Sequence, residues 1–142
     1  MPTVRKSVII PHPCAAMFAL VDDVERYPEF LPWCPATRVL ERTAAVTRAR
    51  LEVDYHGLKS HIETVNRKRA PQSMALEFVD GPFKDFAGLW SFTSLGEEGC
   101  RAELALDYTF SSRLLEITLG PVFGHITETL VDHFVARAEA LG

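Results

Sequence analysis

A long run of alternating apolar and polar residues, spanning residues 38–111, constrains the fold of this chain most strongly. Within it, Leu51, Val53 and Tyr55 alternate with charged residues, and the alternation resumes after the pair His56–Gly57. Because successive side chains of a strand point to opposite faces, the pattern predicts strands with one buried face and one solvated face. The pair at 56–57 predicts a hairpin. Further turns are predicted at residues 70–72, 81–82 and 96–99, so consecutive strands should be antiparallel neighbours.

The two ends of the chain carry different patterns. Residues 3–10 are rich in β-branched side chains and predict a first strand, and two short helices should follow between Pro13 and Leu31. Residues 113–141 have helical periodicity, with Ser112 as the N-cap and with a kink or break at Gly120–Pro121. The apolar stripe of this long helix consists of Leu119, Phe123, Ile126, Leu130, Phe134 and Leu141.

A sheet with one apolar face must bury that face against another element, and the C-terminal helix is the element long enough to do so. We therefore predict an α+β fold in which six or seven curved antiparallel strands surround a long C-terminal helix. The length of 142 residues and the lack of a linker segment predict one domain over residues 1–142.

Composition excludes several classes of protein. The net charge of −4 argues against DNA binding, and the apolar stretches are far shorter than the roughly 20 residues that span a bilayer. Without a signal-peptide pattern at the N-terminus, we expect a cytoplasmic protein. Three unevenly spaced cysteines, Cys14, Cys34 and Cys100, fit neither a disulfide framework nor a zinc site, so we expect reduced thiols.

The inward faces carry more aromatic surface than one helix needs for cover, which indicates a ligand cavity, although each such residue alone could be plain core. Gly88, between Phe86 and Trp90, leaves a gap to be filled by a side chain or a ligand, unless it only lets the sheet bend. Tyr55 and Tyr108 could donate hydrogen bonds to a ligand carbonyl or to internal partners. Such a cavity would hold a ligand head group and part of its tail.

Two turns carry apolar groups that could close the cavity. The loop over residues 30–34 is stiffened by proline, and its Trp33 could take one of three roles. It could form a lid of the cavity, contact a membrane interface or plug the core. Phe83, in the turn that begins at residue 81, could close the same mouth.

Catalytic and metal-binding patterns are not found in the sequence. The histidines lack a metal-binding spacing, and no general acid and base stand paired, so we predict a protein that is not an enzyme and binds no metal. The acidic residues Asp22 and Glu63 are read as solvated. Arg48, Arg50 and residues 67–69 form the strongest basic cluster, which is either plain solvated surface or a contact for rRNA phosphate or anionic lipid.

Three segments carry a family resemblance: DVERYPEFLPWC at residues 23–34, GPFKDFAGLWSF at 81–92 and FVARAEAL at 134–141. They resemble the coenzyme Q-binding, START-like proteins and the related ribosome association toxin A proteins. The resemblance implies the helix-grip fold and a non-enzymatic carrier of a hydrophobic ligand, ubiquinone, that supports respiration and meets the inner membrane face peripherally. The alternative it implies is a toxin that binds the large ribosomal subunit and blocks subunit joining. A cyclase-like enzyme on the same scaffold is a third reading.

The carrier hypothesis assigns ligand contacts to the predicted inward faces, the two closing turns and the C-terminal helix, and it requires no cofactor. These residues are Phe30, Trp33, Tyr55, Phe83, Phe86, Gly88, Trp90, Tyr108, Phe110, Phe123, Ile126 and Leu130.

Overall fold

The computed structural model describes residues 3–141, which form one antiparallel sheet, two α helices and a short 3₁₀ helix. The strands are β1 (Thr3–Ile10), β2 (Thr37–Arg42), β3 (Val46–Tyr55), β4 (Leu58–Arg69), β5 (Ser73–Asp80), β6 (Phe83–Ser94) and β7 (Cys100–Phe110). The helices are α1 (Cys14–Asp22), the 3₁₀ helix (Val24–Glu29) and α2 (Arg113–Leu141). Among these residues, no helix combines the length and apolarity needed to cross a membrane.

The seven strands follow the order β1-β7-β6-β5-β4-β3-β2, and every neighbouring pair is antiparallel. This confirms the predicted architecture of a curved sheet with a long C-terminal helix. The alternation is clearest in β7, where Leu104, Leu106 and Tyr108 are buried while Arg101 and Glu103 are exposed.

The hairpin between β3 and β4 is confirmed, with Leu51 facing Ile62 across the two strands. Its turn residues both have positive φ, 53° at His56 and 86° at Gly57. Two positive φ values in a two-residue turn match the right-handed twist of the flanking strands, and glycine adopts this conformation without steric cost.

Helix α2 lies against the concave side of the sheet, and its stripe residues Leu119, Phe123 and Phe134 are buried. Ser112 caps it as predicted, because its Oγ accepts a hydrogen bond from Leu115 N at 3.1 Å. The helix is continuous through Gly120–Pro121, so the predicted break is wrong. Pro121 lacks the N–H that would donate to the carbonyl of Ile117, and Ile117 is an exposed residue.

Two further expectations need correction. Leu141 is 65% exposed, so the buried stripe of α2 ends before the last residue of the helix. Cys14 and Cys100 are not free thiols but form a disulfide, with their Cα atoms 5.1 Å apart. They meet because Ile10, the last residue of β1, pairs with Cys100, and α1 begins four residues later. Of the three cysteines, only Cys34 is free, and it is buried.

Candidate functional site

An interior cavity of about 110 Å³ lies between the concave face of the sheet and α2; we call it the central cavity. The end of α1 and the 3₁₀ helix close one side of it. Its lining residues are Val21, Val24, Tyr27, Trp33, Ala49, Leu51, Val53, Ile62, Thr64, Asn66, Met74, Leu76, Phe86, Trp90, Leu104, Leu106, Phe123, Ile126, Thr127, Leu130 and Phe134. The wall is therefore almost wholly apolar.

The central cavity is small for a ligand site. Pockets that hold drug-sized ligands enclose roughly 300–1,000 Å³, and an engineered cavity of about 150 Å³ binds benzene. A volume of about 110 Å³ does not hold a head group with part of a tail, contrary to the sequence-based expectation. A guest of that size requires the lining side chains to move apart.

Gly88 shows one reason for the small volume. A Cβ atom at this position would lie 2.7 Å from Leu106 Cδ2 and 2.9 Å from Leu76 Cδ1. The gap predicted between Phe86 and Trp90 is therefore occupied by the protein's own leucine side chains, which also line the central cavity.

A self-packed aromatic cluster is the second reason. The ring of Phe83 lies 5.0 Å from that of Phe110, 5.1 Å from Phe123 and 5.4 Å from Tyr108, measured between ring centroids. These rings pack edge to face or tilted and fill one end of the interior with each other. Phe83 therefore acts as a core residue in this structure.

The predicted ligand contacts divide into two groups. Six of them line the central cavity, namely Trp33, Phe86, Trp90, Phe123, Ile126 and Leu130. The other six lie outside its wall, namely Phe30, Tyr55, Phe83, Gly88, Tyr108 and Phe110. Contact with a ligand stays a prediction for both groups, and the second group does not border the central cavity in this structure.

The two tyrosines expected to face a ligand border separate surface depressions and not the central cavity. Tyr55 joins Trp33, His56, His125 and His133 around a lateral pocket, and its ring lies 5.0 Å from that of His125. Tyr108 opens instead onto a groove between β1 and α2. Burial raises the pKa of Tyr108, and the hydroxyl of Thr127 beside it acts in the opposite direction.

Trp33 is 5% exposed and borders both the central cavity and the lateral pocket. Its carbonyl accepts a hydrogen bond from Asp54 N at 2.9 Å, which ties the loop to β3. Of the three alternatives, the structure supports the plug of the core. Phe30, in the same loop, is half-buried and packs on Phe134. The guanidinium of Arg137 lies over its ring, 5.2 Å from the ring centroid, as in a cation–π contact.

Few polar side chains reach the central cavity. Tyr27 donates its hydroxyl to the carbonyl of Val21, and burial raises the pKa of that phenol. Thr127 donates to the carbonyl of Gly124 at 3.2 Å. Thr64 donates to Asn66 Oδ1 at 2.7 Å. Burial also raises the pKa of the Cys34 thiol to about 12. The thiol is therefore protonated and unreactive at neutral pH.

Sequence reasoning missed Thr64 and Asn66, although a signal for them exists. They continue the inward alternation of β4 beyond Ile62, so following the period of two to the end of the strand would have found them. Val21, Val24 and Tyr27 carry no comparable signal, because their place depends on how α1 and the 3₁₀ helix pack over the sheet.

The basic cluster predicted on the sheet is largely neutralised. Arg48 pairs with Glu63 at 2.6 Å, Arg50 with Glu52 at 2.9 Å, and Arg67 with Glu77 at 2.7 Å. Lys68 points inward and pairs with Asp22 at 3.0 Å. The side chains of Asp22 and Glu63 are only 20% and 11% exposed, so the prediction that they are solvated is wrong.

Metal binding finds no support in residues 3–141, where no three histidine, cysteine or acidic side chains are placed to share an ion. Three histidines do meet at the lateral pocket, His56, His125 and His133, but without metal-binding geometry. This meeting is a tertiary effect, since the hairpin carries His56 and α2 carries the other two.

Comparison with known proteins finds a family match and full-length relatives. The family profile "Polyketide cyclase / dehydrase and lipid transport" matches residues 10–135. A protein of Pseudomonas aeruginosa named ribosome association toxin RatA is 40% identical over 138 residues, covering 97% of this chain and 96% of that protein. The mitochondrial coenzyme Q-binding protein coq10 of Schizosaccharomyces pombe is 26% identical and covers 95% of this chain and 85% of its own length.

Solved structures share the fold. The crystal structure of TTHA0849 from Thermus thermophilus superimposes with a TM-score of 0.83 at 24% sequence identity, and the match covers 99% of both chains. At this identity the likeness shows the fold alone.

Proposed function

Because the chain belongs to the polyketide cyclase/dehydrase and lipid transport family, we propose that it binds an apolar molecule in the central cavity without transforming it. The observation that carries this proposal is the cavity itself, a void between the sheet and α2 whose walls are nearly all hydrocarbon. Burial of apolar ligand surface there would contribute about 25 cal/mol per Å².

Binding without chemistry is supported by the groups in the wall. Among the lining residues of the described chain, Tyr27 is the one with an ionisable side chain. Its hydroxyl donates a hydrogen bond to the backbone carbonyl of Val21, and burial raises the pKa of the phenol. General acid–base catalysis needs a positioned group with a pKa near the working pH, and no lining residue provides one.

Ubiquinone is the ligand we propose, since the coq10 relative is named for binding coenzyme Q and the similarity covers most of both chains. The volume of about 110 Å³ requires the leucine and aromatic side chains around the cavity to yield to the quinone ring. The isoprenoid tail would then leave the cavity, and collection of the quinone from the membrane would need only peripheral contact.

Native mass spectrometry tests this proposal. Protein purified gently from two bacterial hosts should carry a bound mass that organic extraction identifies as the quinone of the host. Unloaded protein from both hosts, with no uptake of added short-tail ubiquinone, would contradict the proposal.

Ribosome association is a second candidate, favoured by the relatives of 37–40% identity that are named ribosome association toxin RatA. We propose that the large ribosomal subunit would be the partner, which would place the protein in the cytoplasm. Because the basic side chains on the outer sheet are mostly paired with acids, we expect weak salt dependence rather than phosphate-driven binding.

Sedimentation of lysate through sucrose gradients tests the second candidate. Co-migration with the large subunit at both low and moderate salt is expected. Absence from that fraction at low salt would remove the candidate. The two candidates are tested by separate measurements.

A further inference from the structure

Asn66 is a buried amide in an otherwise apolar wall. It lies on the inner face of β4, opposite Thr47 on β3 and Leu76 on β5, and it is 6% exposed. Its side chain lines the central cavity. A buried polar group without partners is destabilising, so the hydrogen bonds of Asn66 need to be accounted for.

One half of the amide is satisfied. Thr64 Oγ1, two residues earlier on the same face of β4, donates to Asn66 Oδ1 at 2.7 Å. In this orientation Oδ1 is the acceptor, and the amide nitrogen Nδ2 points away from Thr64. The other end, Nδ2, makes no hydrogen bond within the part of the chain that the structure describes.

The Asn66 nitrogen differs from the other unpartnered buried groups. In residues 3–141, the side-chain polar atoms that are both sealed from any void and unpartnered are Trp33 Nε1 and Arg137 Nε. Asn66 lines the central cavity and Nδ2 is the free end of its amide, so we infer that Nδ2 faces this cavity. Tyr27 and Thr127, the other hydroxyl donors of the wall besides Thr64, are engaged with backbone carbonyls.

We propose that Asn66 is the polar anchor of the central cavity, with its Nδ2 donating a hydrogen bond to the carbonyl oxygen of an otherwise apolar ligand. Thr64 is a positioning residue that holds the amide in this orientation. This inference rests on the proposed binding function and adds the residue that would recognise the carbonyl of an otherwise apolar ring or chain.

The chemistry of the wall favours a neutral acceptor over an ion. Within residues 3–141, no lysine, arginine or histidine lines the central cavity, so an anion would lose its hydration without gaining a counter-charge. A pure hydrocarbon would leave Nδ2 without a partner. A carbonyl compound satisfies the amide and buries the rest of its surface against the leucine and aromatic side chains.

Acetophenone and ethylbenzene form a suitable pair of probes, because they differ mainly in a carbonyl group. Their dissociation constants can be measured by amide-detected NMR titration of the full chain, for the wild type and for Asn66→Leu. We expect Asn66→Leu to shift the ratio of the two constants about three- to tenfold towards ethylbenzene, the value of one neutral hydrogen bond. Thr64→Val should shift the ratio in the same direction by less.

Thermal stability separates a binding role from a structural one. If the amide serves a ligand, the double variant Thr64→Val/Asn66→Leu should melt at or above the wild-type temperature, because both polar partners are replaced by apolar groups. It should also show the full shift in probe preference. If Asn66→Leu alone folds poorly, the double variant replaces it in the probe titrations.

Three outcomes are distinguishable. A shifted ratio with unchanged or higher melting temperature supports the assignment. If wild-type protein binds both probes and the variants keep its ratio, the assignment of Asn66 fails while cavity binding stands. If the wild type binds neither probe, the proposed binding function fails and the anchor falls with it.

Discussion

Asp22 Oδ2 lies 3.0 Å from Lys68 Nζ and joins the C-terminal end of α1 to the end of β4. The side chain of Lys68 is only 5% exposed, and Thr47 donates to the other carboxylate oxygen at 2.8 Å. Because Val21, the residue before Asp22, lines the central cavity, this ion pair holds α1 in place over the cavity.

Asp22→Asn should destabilise the fold by about 2–4 kcal/mol, because it leaves the buried ammonium of Lys68 without its counter-charge. Urea denaturation measures the change. The matched control is Asp23→Asn, whose carboxylate pairs with Arg26 in exposed positions and should cost less than about 1 kcal/mol. Equal losses in the two variants would show that the Asp22 pair has no special structural role.

The disulfide joins Cys14 to Cys100, which are separated by 86 positions in the sequence, and so closes a long loop. Its reduction, or Cys14→Ser, should lower the free energy of unfolding by about 3–5 kcal/mol, since the cross-link restricts the unfolded chain. Melting with and without reductant measures this, and Cys34→Ala should keep the reductant effect. Under denaturing, non-reducing conditions we expect one titratable thiol, that of Cys34, and three would contradict the pairing.

Gly88→Ala should reduce both ligand binding and stability. The new Cβ would push the ends of Leu76 and Leu106 into the central cavity, at a cost of about 1–3 kcal/mol in stability. Loss of void should weaken acetophenone binding roughly tenfold, equivalent to about 1.4 kcal/mol.

The control for that variant is Gly124→Ala on α2, where a Cβ would meet nothing within 4 Å. It should stabilise the helix by about 0.5–1 kcal/mol and leave binding unchanged. Undiminished binding in Gly88→Ala would mean that the ligand does not occupy the space beside this glycine.

Acid should weaken the contact between the 3₁₀ helix and β2. The guanidinium of Arg42 hydrogen-bonds Glu25 at 2.8 Å and lowers the pKa of that carboxyl from its usual value. A lowered pKa in the folded state adds stability above the unfolded-state pKa, and this stability is lost as the pH falls through the folded-state value.

Glu25→Gln should therefore cost less than about 1 kcal/mol near neutral pH, and progressively less as the pH falls through the lowered folded-state pKa of Glu25. Urea titrations at pH 7 and pH 3 measure the difference between the variant and the wild type. An equal difference at both pH values would show that the ionised pair does not contribute.

The strand faces could be predicted from the sequence because alternation is a local property. The faces of β3 and β7, and the hairpin at residues 56–57, follow from residues adjacent in the chain. The disulfide could not be predicted, because Cys14 and Cys100 meet only when the first strand pairs with the last.

The volume of the central cavity could not be predicted either, since it depends on how side chains share the interior. Leu76 and Leu106 fill the gap at Gly88, and the aromatic rings around Phe83 pack against one another. Likewise, strand parity places Asn66 inward, but its unpartnered nitrogen depends on what its neighbours already bind.

The central claim is that a guest molecule enters the space between the sheet and α2, and two buried methionines test it most directly. Met74 lines the central cavity, whereas Met17 is equally buried but lies outside its wall. With ¹³C-labelled methionine methyl groups, saturating short-tail ubiquinone should shift the Met74 signal and give nuclear Overhauser effects from the quinone ring to it, while Met17 stays unchanged. Saturation without any effect at the Met74 methyl would contradict binding in this cavity.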